Sequence, residues 1–291
     1  MNRIKRGWRL AKDSWAVLRA DRSLTIFPVL SFAAAVTAFV LIMAPGVVVA
    51  AAAGQEWVAL PFFLVASYLA TFATIYFNVA LTGAAVKSMD GHDTTLKDGL
   101  SVARERRGLI AKWALVQWAV GLLIRVLQNA GDRSGVGQVV SALVSGLVGA
   151  AWAIASFFVV PVLALEGLGP KDALKRSISV IRERWGEGIV GQATIGGAVF
   201  LIGVLPALAV GGLGYVSFAS VPALGGALIA IAVVALIAVG VIGSALNAIF
   251  RLTLFRYATE GRGSDLFADE DLAAAFRPKK GKGGSVKASP A

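Results

Sequence analysis

The chain contains no cysteine and a single histidine, His92. Without thiols, a disulfide-stapled secreted fold, an iron-sulfur site and any thiolate zinc site are excluded. The lone imidazole, in the loop run Asp90-Gly91-His92-Asp93, falls far short of a catalytic zinc ligand set. Charge is scarce too: 15% of residues are charged and 57% are hydrophobic, whereas a soluble domain carries about 25% charged residues. A soluble globular fold is excluded. No Gly-x-Ser-x-Gly nucleophile elbow and no Gly-x-x-x-x-Gly-Lys-Ser/Thr phosphate loop occurs. Asn129-Ala130-Gly131-Asp132 lacks the Gly-x-Gly-Asp of intramembrane aspartyl proteases. With no carboxylate pair, metal set or activated nucleophile in sight, the expectation is a protein that is not an enzyme and needs no cofactor.

What fills the 291 residues is apolar sequence. Six runs, near 24–53, 57–86, 109–128, 136–165, 189–216 and 224–250, each reach the ~20 residues a helix needs to cross ~30 Å of hydrocarbon. They lack the period-2 alternation of barrel strands. The fold class expected is all-α: an integral membrane bundle of six transmembrane helices over residues 24–255. Residues 1–23 are expected to form an amphipathic helix and residues 256–291 a tail, largely disordered after 277. Arg3, Lys5 and Arg6 before the first run, with Ala51-Ala52-Ala53 after it, imitate a signal peptide. The run is far longer than the 7 to 15 residues of a signal's apolar region, so it reads as an anchor.

Lys and Arg in short loops resist translocation, so their distribution orients the bundle. Residues 1–23 hold seven, 87–112 hold six, 166–188 hold five and 251–291 hold eight; the opposite side has only Arg133, with Arg125 just inside the third run. Both termini are therefore expected in the cytoplasm of a bacterial cell, with the protein in the inner (plasma) membrane. The net charge of +11 reads as a belt facing anionic headgroups on the cytoplasmic side, with no nucleic-acid partner implied.

Ahead of the first, third and fifth runs lie amphipathic segments, expected to rest in the membrane interface. Ile4, Trp8, Ala11, Trp15 and Leu18 share one helical face. Asp93, Thr94 and Thr95 are N-cap candidates before Leu96, Leu100 and Ala103. Pro170 suits a first helical position before the stripe Leu174, Ile178, Ile181 and Trp185. Trp8, Trp15, Arg19, Arg104, Trp113, Arg182 and Trp185 are the residues expected at the membrane interface. Ser101-Val102-Ala103-Arg104-Glu105-Arg106 matches Ser179-Val180-Ile181-Arg182-Glu183-Arg184, and the even-numbered runs end in Asp90-Gly91, Glu166-Gly167 and Glu260-Gly261. These matches suggest three repeats of an amphipathic helix followed by a helical hairpin, each stopping at a left-handed glycine.

The run Val160-Pro161-Val162-Leu163-Ala164-Leu165-Glu166-Gly167, the segment Ala173 to Ser177, Arg182 to Gly186, Phe250 to Thr259 and Ala275-Phe276-Arg277-Pro278 carry a family resemblance. The chain resembles a six-span bacterial integral membrane family of unknown function and, more loosely, the membrane domain of glycerophosphodiester phosphodiesterases. The resemblance implies a bacterial inner-membrane protein and supplies no catalytic residue.

Within the spans, Ser67, Thr71, Thr74 and Asn78 share a face of the second, Asn247 takes a comparable position on the sixth, and Arg125 is placed to snorkel toward Asn129 and Asp132. Ser141, Ser145 and Gly149 form a small-residue ridge on the fourth. The functional expectation is a non-enzymatic membrane protein organising lipid or partner proteins, a protein partner or a second copy of the chain among them. Transport of a small or lipidic molecule is the alternative. A ligand-sized cavity among Asn78, Asn247 and Arg125 would favour transport, and a filled bundle the organising role.

Overall fold

The computed structural model describes residues 22–130, 135–184, 197 and 199–260. The amphipathic segment before residue 22, with Trp8, Trp15 and Arg19, lies outside them, as do Asp132, Trp185 and the tail after Glu260. All regular structure among the described residues is helical, as lipid demands of backbone that has no water to bond to. We number the α-helices α1 Ile26–Ala53, α2 Leu60–Met89, α3 Leu96–Glu105, α4 Arg107–Asn129, α5 Gly135–Ala155, α6 Val159–Leu165, α7 Pro170–Arg184, α8 Leu205–Phe218 and α9 Pro222–Glu260. Six helical segments are long and apolar enough to cross a membrane: Ile26–Ala53, Glu56–Met89, Arg107–Asn129, Gly137–Leu165, Phe200–Phe218 and Pro222–Glu260. The chain is a multi-pass membrane protein.

The spans pair as hairpins, α1 on α2, α4 on α5 and α8 on α9. In the last, a Cβ on Gly225 would lie 2.5 Å from Phe218 Cα, so only glycine lets the two backbones meet there. The small-residue ridge serves α4: Ser141 Oγ donates to the Leu127 and Gln128 carbonyls at 2.7 and 2.8 Å.

Two spans differ from expectation. The fourth is interrupted at 156–158, where the chain leaves the helix between α5 and α6. The Phe158 N–H, released by the break, donates to Ser177 Oγ of α7 at 3.1 Å, which satisfies a donor that would be costly to bury alone. The sixth continues ten residues beyond Phe250, because Leu252, Thr253, Leu254, Phe255 and Ala258 are buried against neighbouring helices.

At about 45 Å and 58 Å, α2 and α9 outrun the ~30 Å hydrocarbon layer, and they project on the side of the basic loops. Here, at the basic end, α3 and α7 fold back against them. Thr95 caps α3 through a capping box with Asp98, which explains why the helix starts there. The inner faces of these amphipathic helices pack on protein. Gly99 and Ala103 of α3 are buried against α2. On α7 the buried positions are Ala173, Ser177 and Val180, while Leu174, Ile178 and Ile181 are only half-buried. Small side chains let α7 come close enough for the Ser177 bond. Gly91 and Gly167 stop their helices at φ 77° and 63° as expected, and Gly261 lies outside the described residues.

Candidate functional site

The polar face of α2 borders open space. Phe63, Ser67, Thr71, Thr74 and Asn78 recur every three or four residues over about 22 Å, and all five line a cavity of about 640 Å³. The opposite wall is α4, where Trp113, Gln117, Gly121 and Arg125 are spaced by four along one face. Phe39 of α1, Ser156 at the break in the fourth span, Val160 of α6 and Arg251 of α9 complete it. A second cavity of about 280 Å³ shares Asn78, Val160 and Arg251 with the first and adds Thr82, Ser244 and Asn247.

Indole hydrogen bonds fix the walls. Trp118 Nε1–H donates to Ser67 Oγ at 2.9 Å, tying α4 to α2. Trp152 Nε1–H donates to Gln117 Oε1 at 2.9 Å, and its ring stacks on Trp113 at 5.6 Å. Tyr68 donates to the Ala111 carbonyl at 3.3 Å and meets Trp118 edge-on. The hydroxyls of Thr71, Thr74 and Thr82 donate to carbonyls one turn back, at 2.8, 2.9 and 2.8 Å. Their protons are spent, and their lone pairs stay available. Asn247 Nδ2 uses one proton on the Gly243 carbonyl at 2.9 Å and keeps the other.

The expected intramembrane residues are thus brought together, but in two places. Ser67, Thr71, Thr74, Asn78 and Arg125 line the larger cavity, while Asn247 faces Asn78 across the smaller one. Arg125 is exposed at the far end, where Asn129 Nδ2 donates to its backbone carbonyl at 2.9 Å. Trp113, expected at the membrane interface, is 3% exposed and stacked on Trp152 inside the bundle. Arg104 and Arg182 are exposed at the basic end.

Arg251 was missed. It counted only as the first basic residue after the sixth run, yet Ser244, Asn247 and Arg251 follow a spacing of three and four that puts them on one helix face. Its Nε is sealed from solvent without a hydrogen-bond partner, and its Cζ lies 5.0 Å from the centre of the Phe157 ring. Among the described residues no carboxylate lines either cavity. Four acids at the basic end are engaged elsewhere: Asp90 and Glu260 with Arg256 at 2.8 and 3.4 Å, Glu166 with Arg176 at 3.1 Å, and Asp98 with Lys87 at 2.9 Å. Among the described residues no group of three or more His, Asp or Glu could hold a metal ion.

Among known families, the one described as "Family of unknown function (DUF6159)" matches residues 54–265. That is most of the chain and takes in five of the six spans, so the chain belongs to this family. The likeness to the membrane domain of glycerophosphodiester phosphodiesterases is not among the matches. No curated protein and no solved structure matches the chain.

Proposed function

We propose that this DUF6159 member is a non-enzymatic carrier of a small or lipidic molecule in the inner membrane of a bacterial cell, its termini and basic end in the cytoplasm. The observation that carries the reading is the 640 Å³ cavity along the polar face of α2, within the roughly 300–1,000 Å³ typical of small-molecule sites. An organising protein would have those hydroxyls and amides packed against neighbouring helices; here Ser67 alone is bonded across to α4, and Thr71, Thr74 and Asn78 border space. The interrupted fourth span supports the same reading. Helix breaks at membrane depth survive where they are buried in protein or line a cavity, and carriers build their sites around them; Ser156, at the break, lines this one. The orientation rests on the basic loops, which would also hold anionic headgroups of the inner leaflet.

The chain's lack of cysteine makes the test direct. Single variants Thr71→Cys, Thr74→Cys and Asn78→Cys, in membrane vesicles of known sidedness, should react with a membrane-impermeant thiol reagent. A solute that occupies the cavity should slow all three. No reaction at any of the three positions would return the face to simple packing and remove the carrier reading.

A further inference from the structure

We infer that Arg251 anchors the anionic head, phosphate or carboxylate, of an amphiphile whose apolar part lies along the aromatic stretch of the larger cavity. This rests on the carrier reading above and adds the charge of the cargo. A guanidinium presents five N–H donors in one plane, and the Phe157 ring, lying over Cζ, satisfies none of them. The buried Nε is without a partner, and among the described residues no carboxylate lines the two cavities that meet at this side chain. A cation in the bundle interior is costly unless something pairs with it. The groups around it suit an anion: Asn78 and the unspent amide proton of Asn247 are donors facing the same space. The same space is walled by the aromatic rings of Trp113, Trp118, Phe63 and Phe39 beside the Thr71 and Thr74 hydroxyls, so it offers a cation and, along the rings, surface for an apolar chain. Arg125, at the far end, is exposed and can be hydrated, so it needs no ligand to balance it.

The full chain in phosphatidylcholine nanodiscs would be titrated calorimetrically with dodecyl phosphate, dodecyl maltoside and inorganic phosphate. Protection of Thr74→Cys from the thiol reagent would locate the binding. Dodecyl phosphate should bind at least about tenfold more tightly than dodecyl maltoside. Arg251→Gln should erase that preference and Arg251→Lys should keep part of it. Arg106→Gln should leave it intact, since Arg106 also has a buried Nε without a partner but lines neither cavity. If Arg251→Gln does not fold, the head preference of the unaltered residue and the Arg251→Lys variant still decide. Equal binding of the two amphiphiles would overturn the anionic head while leaving the carrier reading standing. Inorganic phosphate binding as tightly as dodecyl phosphate would overturn the amphiphile. A Thr74→Cys that never reacts would instead remove the carrier reading itself.

Discussion

At the basic end of the bundle, Phe27, Phe158, Leu163, Ile249 and Phe250 are at most 2% exposed, packed as tightly as in a soluble core. Toward the other end, Leu41, Leu147, Leu213 and Val234 are all more than 60% exposed. The same kinds of residue serve two different solvents. At the basic end, helices bury their apolar faces against one another, and α3 and α7 do so against α2, α6 and α9. Within lipid, a leucine gains nothing by leaving the chains for a neighbouring helix, so packing there rests on small residues and a few hydrogen bonds. Stability should therefore be concentrated in the basic-end hub. The hairpins above it are free to stand apart, and the cavity lies between them.

The largest expected effect is in the hub. Phe158 is fully buried, 4.7 Å from Phe157 and 5.7 Å from Phe255 between ring centres. Phe158→Ala should cost about 3–5 kcal/mol, measured by denaturant unfolding in detergent micelles. A loss no greater than that of a lipid-facing truncation would break the comparison.

Gly99 tests the hub from the opposite direction, by overfilling. A Cβ there would collide with the Ala80 carbonyl oxygen and lie 2.6 Å from the Phe27 ring, so α3 cannot stay where it is. Gly99→Ala should destabilise by about 1–3 kcal/mol. Gly212→Ala, on α8 where a Cβ meets nothing within 4 Å, should instead stabilise slightly through helix propensity. Similar unfolding curves for the two variants would show the hub to be looser than its geometry.

The contrast between these two regions also explains what was legible in the sequence. Six apolar runs announce six spans, because lipid requires only length and hydrophobicity, and both are written locally. The polar face of α2 was equally plain, since helical spacing alone groups Ser67, Thr71, Thr74 and Asn78. What faces that side of α2 depends on how hairpins distant in sequence stand relative to one another, which no local pattern encodes. The interrupted fourth span was legible in part: Pro161 cannot bond to the Phe157 carbonyl and so breaks the helix near 156–158, but the bond that satisfies the released Phe158 N–H comes from Ser177, distant in sequence. Arg251 hid behind a charge count that treats every arginine beyond the last run as loop, although α9 does not end there. That the Trp113 ring stacks on Trp152 was likewise hidden, because the two lie on different helices.

A smaller effect belongs to the start of α3. Thr95 Oγ1 accepts from the Asp98 N–H, while the Asp98 carboxylate accepts from the Thr95 N–H and hydroxyl at 2.9 and 2.7 Å. Thr95→Ala should cost about 1 kcal/mol. The Thr95 hydroxyl, then Lys87 and the Thr95 N–H, hold the Asp98 carboxyl well below the usual carboxylate range. Because the folded value is the lower one, the carboxylate's contribution is present above the ordinary value near 4 and fades as pH falls below it. Unfolding curves between pH 7 and pH 3 should thus show a loss of stability that Asp98→Asn reduces. An unchanged pH dependence in that variant would detach α3 from the hub's electrostatics.

The smallest effect should come from the lipid-facing surface. Val234 on α9 is 66% exposed and Leu213 on α8 is 64% exposed, each more accessible than any hub residue named above. Val234→Ala and Leu213→Ala exchange one contact with lipid chains for another, leave no cavity and remove no hydrogen bond, so each should fall within about 0.5 kcal/mol of the unaltered protein. A cost of several kcal/mol at either position would mean that something other than lipid covers it, such as a second copy of the chain pressed against the α8–α9 hairpin. Measuring the same variants at two protein-to-lipid ratios separates these cases, because a cost arising from association grows with protein concentration while one arising within the chain does not.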